Sequence, residues 1–171
     1  FFGDPAPLQK NYHVIDFNPE TGEVRKKNTH QGFAHESAWS RGQAWGLYGF
    51  TATYRYTKDP VFLKKAEEIA SFIFKHPNLP EDLIPYWDYD APNIPNEPRD
   101  VSAATVAASG LIELSEYVPE KAATYLAWAD QILLSLEKET YQTDVAPFFL
   151  KHSVGSLPGD SEVDVPIIYA D

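Results

Sequence analysis

The sequence contains no cysteine and no methionine. The absence of cysteine excludes disulfide bonds, thiolate nucleophiles and cysteine-bound metals, and it leaves the redox compartment of the protein undetermined. The chain also lacks any run of about 18 consecutive apolar residues, the length that a membrane-spanning helix requires. We therefore expect a soluble protein without a membrane partner, in a cytoplasmic or periplasmic location that the sequence does not distinguish.

Positive charge is scarce as well. The 14 lysines and arginines are outnumbered by 25 aspartates and glutamates, which gives a formal net charge of −11. Nucleic-acid binding requires clustered lysine and arginine against phosphate groups, and the longest basic run here is Arg25-Lys26-Lys27 in a predicted turn. A nucleic-acid partner is therefore not expected.

Proline and aromatic residues are abundant instead. The 171 residues include 14 prolines, 14% are aromatic, and the hydrophobic fraction of 43% is typical of one soluble globular domain. Aromatic side chains among proline-rich loops suit a protein that stacks on flat ligands such as sugars. Because the chain begins at Phe1 without an initiator methionine and ends within the apolar segment IIYAD, we expect a portion of a longer domain.

Hydrophobic periodicity and turn residues predict an all-α core with one β-hairpin. Asp59 before Pro60 is the clearest boundary signal, since it supplies a helix N-cap and a proline at the first helical position. The predicted elements are a hairpin over residues 12–27, helices over 37–56, 60–75, about 100 or 102 to 117, and 119–139, an ordered proline-rich loop over 77–98, and a loop-like tail over 140–166.

A weak repeat relates the two predicted helical hairpins. The first helix of each is rich in small residues, and Gly49 and Gly110 occupy comparable places about 60 residues apart. This pattern predicts stacked hairpins whose small-residue helices pack closely on an inner ring. Four helices would close part of such a ring.

The segment HESAWSRGQAWGLYGF contains the strongest candidate binding residues. Arg41 and Trp45 are four positions apart, so they project from one face of a helix. A guanidinium binds a carboxylate through two parallel hydrogen bonds and an indole stacks on a sugar ring, so the pair could hold a uronic acid. In the alternative interpretation, Arg41 donates hydrogen bonds to carbonyl groups of a loop. Trp45 is then a core residue, as Trp39 is expected to be.

Other polar residues lie in the loops that lead to this helix and could reach a ligand at its end. They are His13, Thr29, His30, Gln31 and His35. His30 and His35 lack a third ligand at a recognisable spacing, so no metal is expected.

Asp88 and Asp90 are the best paired carboxylates in the chain. Glycosidases use two carboxylates, but residues two apart need not converge, and aspartates in proline-rich loops usually cap turns. Asp100 is predicted to be the N-cap of the third helix. The sequence contains no GxSxG nucleophile segment and no phosphate-binding GxxxxGK segment.

With these residues assembled, the sequence resembles glycoside hydrolase family 88, the unsaturated glucuronyl hydrolases. The similarity rests on THQGFAHESAWSRGQAWGLYGF, RDVSAATVAASGLIEL and HSVGSLPGDSEVDVPIIYAD. The sister family of unsaturated rhamnogalacturonyl hydrolases typically has RGNGW where this chain has RGQAW. We therefore favour the unsaturated glucuronyl hydrolases, and the sister family is the alternative. The resemblance implies an (α/α)6 barrel of six helical hairpins, of which residues 1–171 would be the C-terminal portion.

The family resemblance also implies a reaction without a cofactor. Water is added across the C4=C5 double bond of a terminal unsaturated uronic acid left by a polysaccharide lyase, and the hydrated sugar then opens and is released. An aspartate acts as general acid and base, and we expect it and its partner carboxylate upstream of Phe1. The resemblance implies that the residues at the family's substrate-contacting positions are His13, Thr29, Gln31, Arg41 and Trp45.

Two other functions remain open on the sequence. The chain could bind uronate sugars without turnover, or it could be a helical scaffold whose tryptophans are core. As a portion of a barrel it would expose apolar faces, so we expect it to associate with the rest of the barrel or with itself.

Overall fold

The computed structural model describes residues 12–171, in which four α-helices are joined by ordered loops and flanked by two β-hairpins. The helices are α1 (Ser40–Thr57), α2 (Pro60–Phe74), α3 (Val101–Tyr117) and α4 (Ala122–Leu136). The strands are β1 (Val14–Phe17), β2 (Val24–Asn28), β3 (Ser153–Ser156) and β4 (Ser161–Val165), and β1 pairs with β2 and β3 with β4, both antiparallel.

The turn between α1 and α2 follows the sequence signals. Lys58 ends α1 in the left-handed conformation, and its N–H donates to the carbonyl of Tyr54 at 2.8 Å. Asp59 caps α2 by accepting a hydrogen bond from the N–H of Val61 at 3.0 Å, and Pro60 follows it. The predicted boundary is confirmed. The fourth helix ends at Leu136, three residues before the predicted end at 139.

Helices α1 and α3 lie side by side, while α2 packs on α1 and α4 on α3. A Cβ atom on Gly110 would lie 3.1 Å from Cγ of Leu47 and 3.2 Å from the backbone of Tyr48, so this glycine permits a close approach of the two helices. Gly49 has open space around it. The expected close packing of the small-residue helices is therefore confirmed at Gly110, whereas Gly49 contributes nothing to it.

The proline-rich loop is ordered, as predicted. Ile84, Trp87 and Tyr89 within it are almost fully buried. Its backbone contacts the first residue of α1, because the N–H of Ser40 donates a hydrogen bond to the carbonyl of Trp87 at 3.1 Å. The loop thereby fixes the end of α1 that carries the candidate residues.

The tail differs from the prediction, since residues 153–165 form the β3–β4 hairpin rather than a loop. The strand β3 is mostly buried against the start of α3, where the N–H of Val101 donates to the carbonyl of His152 at 3.0 Å. Serine and glycine have low strand propensity, so SVGS gave no strand signal. Packing and pairing with β4 stabilise it instead.

None of the helices between residues 12 and 171 is long and apolar enough to cross a membrane.

Candidate functional site

Arg41 lies in the first turn of α1 and is 3% exposed. Its Nη1 donates to the carbonyl of Val154 at 2.6 Å, to Oγ of Ser102 at 3.1 Å and to Oδ2 of Asp100 at 3.3 Å. Its Nη2 donates to the carbonyl of Gly155 at 2.8 Å. The structure thus contains the carbonyl contacts of the alternative interpretation, but the carbonyl groups belong to strand β3 and not to a loop.

Those contacts leave part of the guanidinium available. A guanidinium has five N–H donors, and within residues 12–171 the Nε hydrogen and one Nη2 hydrogen of Arg41 have no hydrogen-bond partner. Nε and Nη2 are adjacent nitrogens, which is the arrangement that a carboxylate binds with two parallel bonds. The rings of Trp39 and Tyr169 lie 4.9 and 5.6 Å from the guanidinium carbon.

Trp45 lies one helical turn further along α1 and is 43% exposed. Its ring meets the rings of Tyr48 and Tyr169 edge to face, with centroids 6.0 and 6.5 Å away. Trp45 is therefore not a core residue, and it presents indole surface beside Arg41. Trp39 is 7% exposed, and its predicted burial is confirmed.

The loop histidine His13 is held by backbone donors. Its Nδ1 accepts hydrogen bonds from the N–H groups of His30 and Gln31, at 3.2 and 3.4 Å. Loss of solvation lowers the pKa of His13 from 6.5, and the charges of His30 and Arg41 lower it further. A neutral ring whose Nδ1 accepts must carry its proton on Nε2, so His13 offers one N–H donor there.

The remaining two predicted residues are tied to the backbone. Oγ1 of Thr29 accepts from the N–H of Gly32 at 2.7 Å and so closes a turn. Nε2 of Gln31 donates to the carbonyl of Gly155, which also accepts from Arg41. Gln31 and Arg41 are thus brought together on β3, and Thr29 remains in the loop beside them.

The carboxylates of Asp88 and Asp90 accept hydrogen bonds from the segment that precedes α1. Asp88 is fully buried and accepts hydrogen bonds from the N–H of Phe33 at 2.9 Å and from Oγ of Ser37 at 2.7 Å. Asp90 accepts from the N–H of Ala38 at 2.9 Å. Burial raises the pKa of Asp88, and these hydrogen bonds partly oppose that rise. Both carboxylates fasten residues 33–38 to the proline-rich loop.

Asp100 occupies the N-cap position of α3, as predicted, although its side chain does not form the hydrogen bond of a helix cap. Its Oδ1 instead accepts from Oγ of Ser102 at 2.6 Å, and its Oδ2 accepts from Arg41. Burial raises the pKa of Asp100, while the Arg41 charge and the Ser102 hydroxyl lower it. The carboxylate serves as the counter-ion of Arg41.

Sequence reasoning missed several parts of this arrangement. The carbonyl groups of Val154 and Gly155 carry no side-chain signal, and Tyr169 lies in a 3-10 turn (Ile168–Ala170) far along the chain. For Asp100 the sequence predicted the position at the start of α3 but not the ion pair with Arg41. Across residues 12–171, no group of three His, Cys, Asp or Glu side chains is arranged to hold a metal ion.

Comparison with known proteins gives clear relatives, although no family model matches the chain. An unsaturated glucuronyl hydrolase of Formosa agariphila is 47% identical over 163 residues, which cover 94% of this chain and 40% of that protein. The chain thus spans about two fifths of the length of this curated relative.

Solved structures agree with the sequence relatives. The crystal structure of an unsaturated glucuronyl hydrolase specific for heparin superposes with a TM-score of 0.92 at 46% identity, covering 96% of this chain and 45% of that one. An aspartate-to-asparagine mutant of the Streptococcus agalactiae unsaturated glucuronyl hydrolase, complexed with dGlcA-GalNAc6S, superposes with a TM-score of 0.78 at 35% identity, covering 94% and 44%. In sequence and in fold, the chain belongs to the unsaturated glucuronyl hydrolases, glycoside hydrolase family 88.

Proposed function

We propose that residues 1–171 are the C-terminal portion of a single (α/α)6-barrel catalytic domain that removes a terminal unsaturated glucuronyl residue from oligosaccharides made by polysaccharide lyases. In this proposal the chain binds the uronate, and aspartates from the rest of the domain transfer the protons. The chain by itself would bind the sugar without turnover. The reaction requires no cofactor.

The observation that carries the proposal is the free edge of Arg41 beside the exposed indole of Trp45. A buried arginine that leaves two donors unpaired is costly unless a ligand completes them. A planar anionic group is the matching partner, and the adjoining indole suits a flat, unsaturated sugar ring. A uronate with a C4=C5 double bond has both features.

Each residue of this site has a role in the proposed reaction. Arg41 binds the carboxylate attached to C5 and so fixes the carbon that water attacks. Trp45 stacks on the ring, and Nε2–H of His13 donates to a sugar hydroxyl or to the attacking water. Gln31 and Thr29 add polar contacts at the same end of α1. Protonation of C4 and activation of the water are left to a general acid and base outside this chain.

The barrel proposal draws on the surface as well as on the helix order. With α1 and α3 as neighbouring inner helices, α2 and α4 would form the outer layer. Large apolar side chains are exposed on α3, α4 and the segment after them, where further helices would cover them. These side chains are Ile112, Leu133, Leu134, Phe149 and Ile168.

A chimera tests the proposal. Residues 12–171 would replace the matching segment of the Formosa agariphila relative, and hydrolysis of unsaturated glucuronyl disaccharides, sulfated and unsulfated, would be followed as loss of the ultraviolet absorbance of the double bond. We expect the chimera to be active and the 171-residue chain alone to be inactive. A folded but inactive chimera would contradict the proposal. Activity of the chain alone would return attention to Asp88 and Asp90.

A further inference from the structure

Trp39 contacts two of the proposed ligand-binding residues at once. Its ring stacks with the ring of His13, with centroids 4.5 Å apart and planes inclined by 30°. The guanidinium carbon of Arg41 lies 4.9 Å from the same indole. His13 precedes β1, while Arg41 is in α1, so the indole joins a loop residue to a helix residue.

The surrounding backbone holds the indole in place. A Cβ atom on Gly42 would lie 2.7 Å from Cε3 of Trp39, and one on Gly32 would lie 3.2 Å from its Cβ. A contact at 2.7 Å is closer than carbon atoms pack, so the ring occupies the space that the missing side chain of Gly42 leaves. The backbone of Trp39 also forms an isolated antiparallel bridge with the backbone of Asp88, and this bridge fixes the main chain that carries the indole.

The contacts of Trp39 are made by its ring rather than by its polar edge. Within residues 12–171 its Nε1–H has no hydrogen-bond partner, whereas Nε1 of Trp87 donates to Glu97 at 2.8 Å. Buried indoles usually satisfy this donor. Because this donor of Trp39 is unused, the contacts of its ring with His13 and Arg41 are the interactions through which it influences these two residues.

We propose that Trp39 is a positioning residue that holds the His13 imidazole and the Arg41 guanidinium in register for one uronate. This inference rests on the proposed function, because it assigns Trp39 to the same sugar site. A smaller ring could not cover both groups, since phenylalanine lacks the second ring of the indole. Loss of that surface frees two side chains that must act together.

The test compares Trp39→Phe with Trp128→Phe in the 171-residue chain. Trp128 stacks on Phe74, with centroids 4.7 Å apart, and its other ring contact is with Tyr125 and not with a residue of the site. Binding of an unsaturated glucuronyl disaccharide would be measured by calorimetry. We expect Trp39→Phe to weaken binding about tenfold and Trp128→Phe to change it less than about twofold. If Trp39→Phe does not unfold cooperatively, Trp39→Tyr replaces it.

A double-mutant cycle separates positioning from general stability. In an Arg41→Lys background, Trp39→Phe should weaken binding less than it does in the wild type, because one of the two groups that Trp39 positions is already lost. Equal losses in both backgrounds, or equal losses for the two tryptophans, would overturn the inference while leaving uronate binding intact.

Nuclear magnetic resonance of the unliganded chain distinguishes this failure from failure of the proposed function. Trp39→Phe should return the His13 titration midpoint toward 6.5 and speed rotation of the Arg41 guanidinium, and Trp128→Phe should do neither. An unchanged His13 midpoint and unchanged rotation would contradict the inference. A wild-type chain that does not bind the disaccharide would refute the sugar site, and the role of Trp39 with it.

Discussion

The guanidinium of Arg41 and the carboxylate of Asp100 form an ion pair at 3.3 Å, with side chains that are 4% and 0% exposed. The pair joins the start of α1 to the start of α3, and β3 covers it with two carbonyl groups. A buried charge is costly without its partner. The same contact therefore holds the helices together and sets the orientation of the proposed uronate ligand.

Removing one partner of this pair should destabilise the fold. We expect Arg41→Met to lower the free energy of unfolding by about 3 kcal/mol, since Asp100 is left buried without its cation. Chemical denaturation measures this change. Arg55→Met is the control, because Arg55 is 43% exposed in its pair with Glu113 and its loss should cost less than about 1 kcal/mol. Equal costs for the two variants would disprove the structural role of the buried pair.

The two glycines of the helical repeat should respond in opposite directions to alanine. Gly49→Ala adds a methyl group in open space within a helix, so it should raise the free energy of unfolding by about 0.5–1 kcal/mol. Gly110→Ala places the methyl group 3.2 Å from the backbone of α1, which must move, so stability should fall. Thermal unfolding of both variants provides the comparison. Stabilisation by Gly110→Ala would mean that α1 and α3 do not approach as described.

The pKa of His13 makes stability depend on pH. Because folding lowers this pKa below 6.5, the unfolded chain binds more protons between the two values, and the free energy of unfolding rises with pH across that interval. The contribution is lost as the pH falls, when protonation removes the Nδ1 acceptor from His30 and Gln31.

A difference measurement isolates His13 from His76, whose pKa is also lowered by burial. Free energies of unfolding of the wild type and His13→Asn would be compared from about pH 5 to about pH 7.5. The wild type should lose more stability than the variant as the pH falls below 6.5. Parallel curves would show that His13 titrates normally in the folded chain.

Trp45 should matter for binding and little for stability. Since its side chain is 43% exposed, Trp45→Ala should change the free energy of unfolding by less than about 1 kcal/mol. Loss of the stacking surface should weaken binding of an unsaturated glucuronyl disaccharide about tenfold. Tyr56→Ala, at an aromatic side chain that is 81% exposed, is the control for nonspecific stacking. Equal affinities of the two variants would exclude Trp45 from the site.

The sequence predicted the elements with strong local signals. Asp59 and Pro60 marked a helix start, and the residue type of Arg41 indicated an anionic ligand. The sequence could not predict what Arg41 bonds within the chain, because its partners are carbonyl groups of a strand about 113 residues away. It also assigned Asp100 to a local cap, since a cap is visible in a short segment and a distant ion pair is not. The role of Trp39 depends on His13, which a helix pattern does not include.

Recognition of the carboxylate by Arg41 is the central claim, and binding of a matched pair of ligands tests it most directly. Calorimetry would compare an unsaturated glucuronyl disaccharide with its methyl ester, for the wild-type chain and for Arg41→Lys. The wild type should bind the free acid at least about tenfold more tightly than the ester, and Arg41→Lys should lose most of that preference. A preference for the acid that survives Arg41→Lys unchanged would contradict the account.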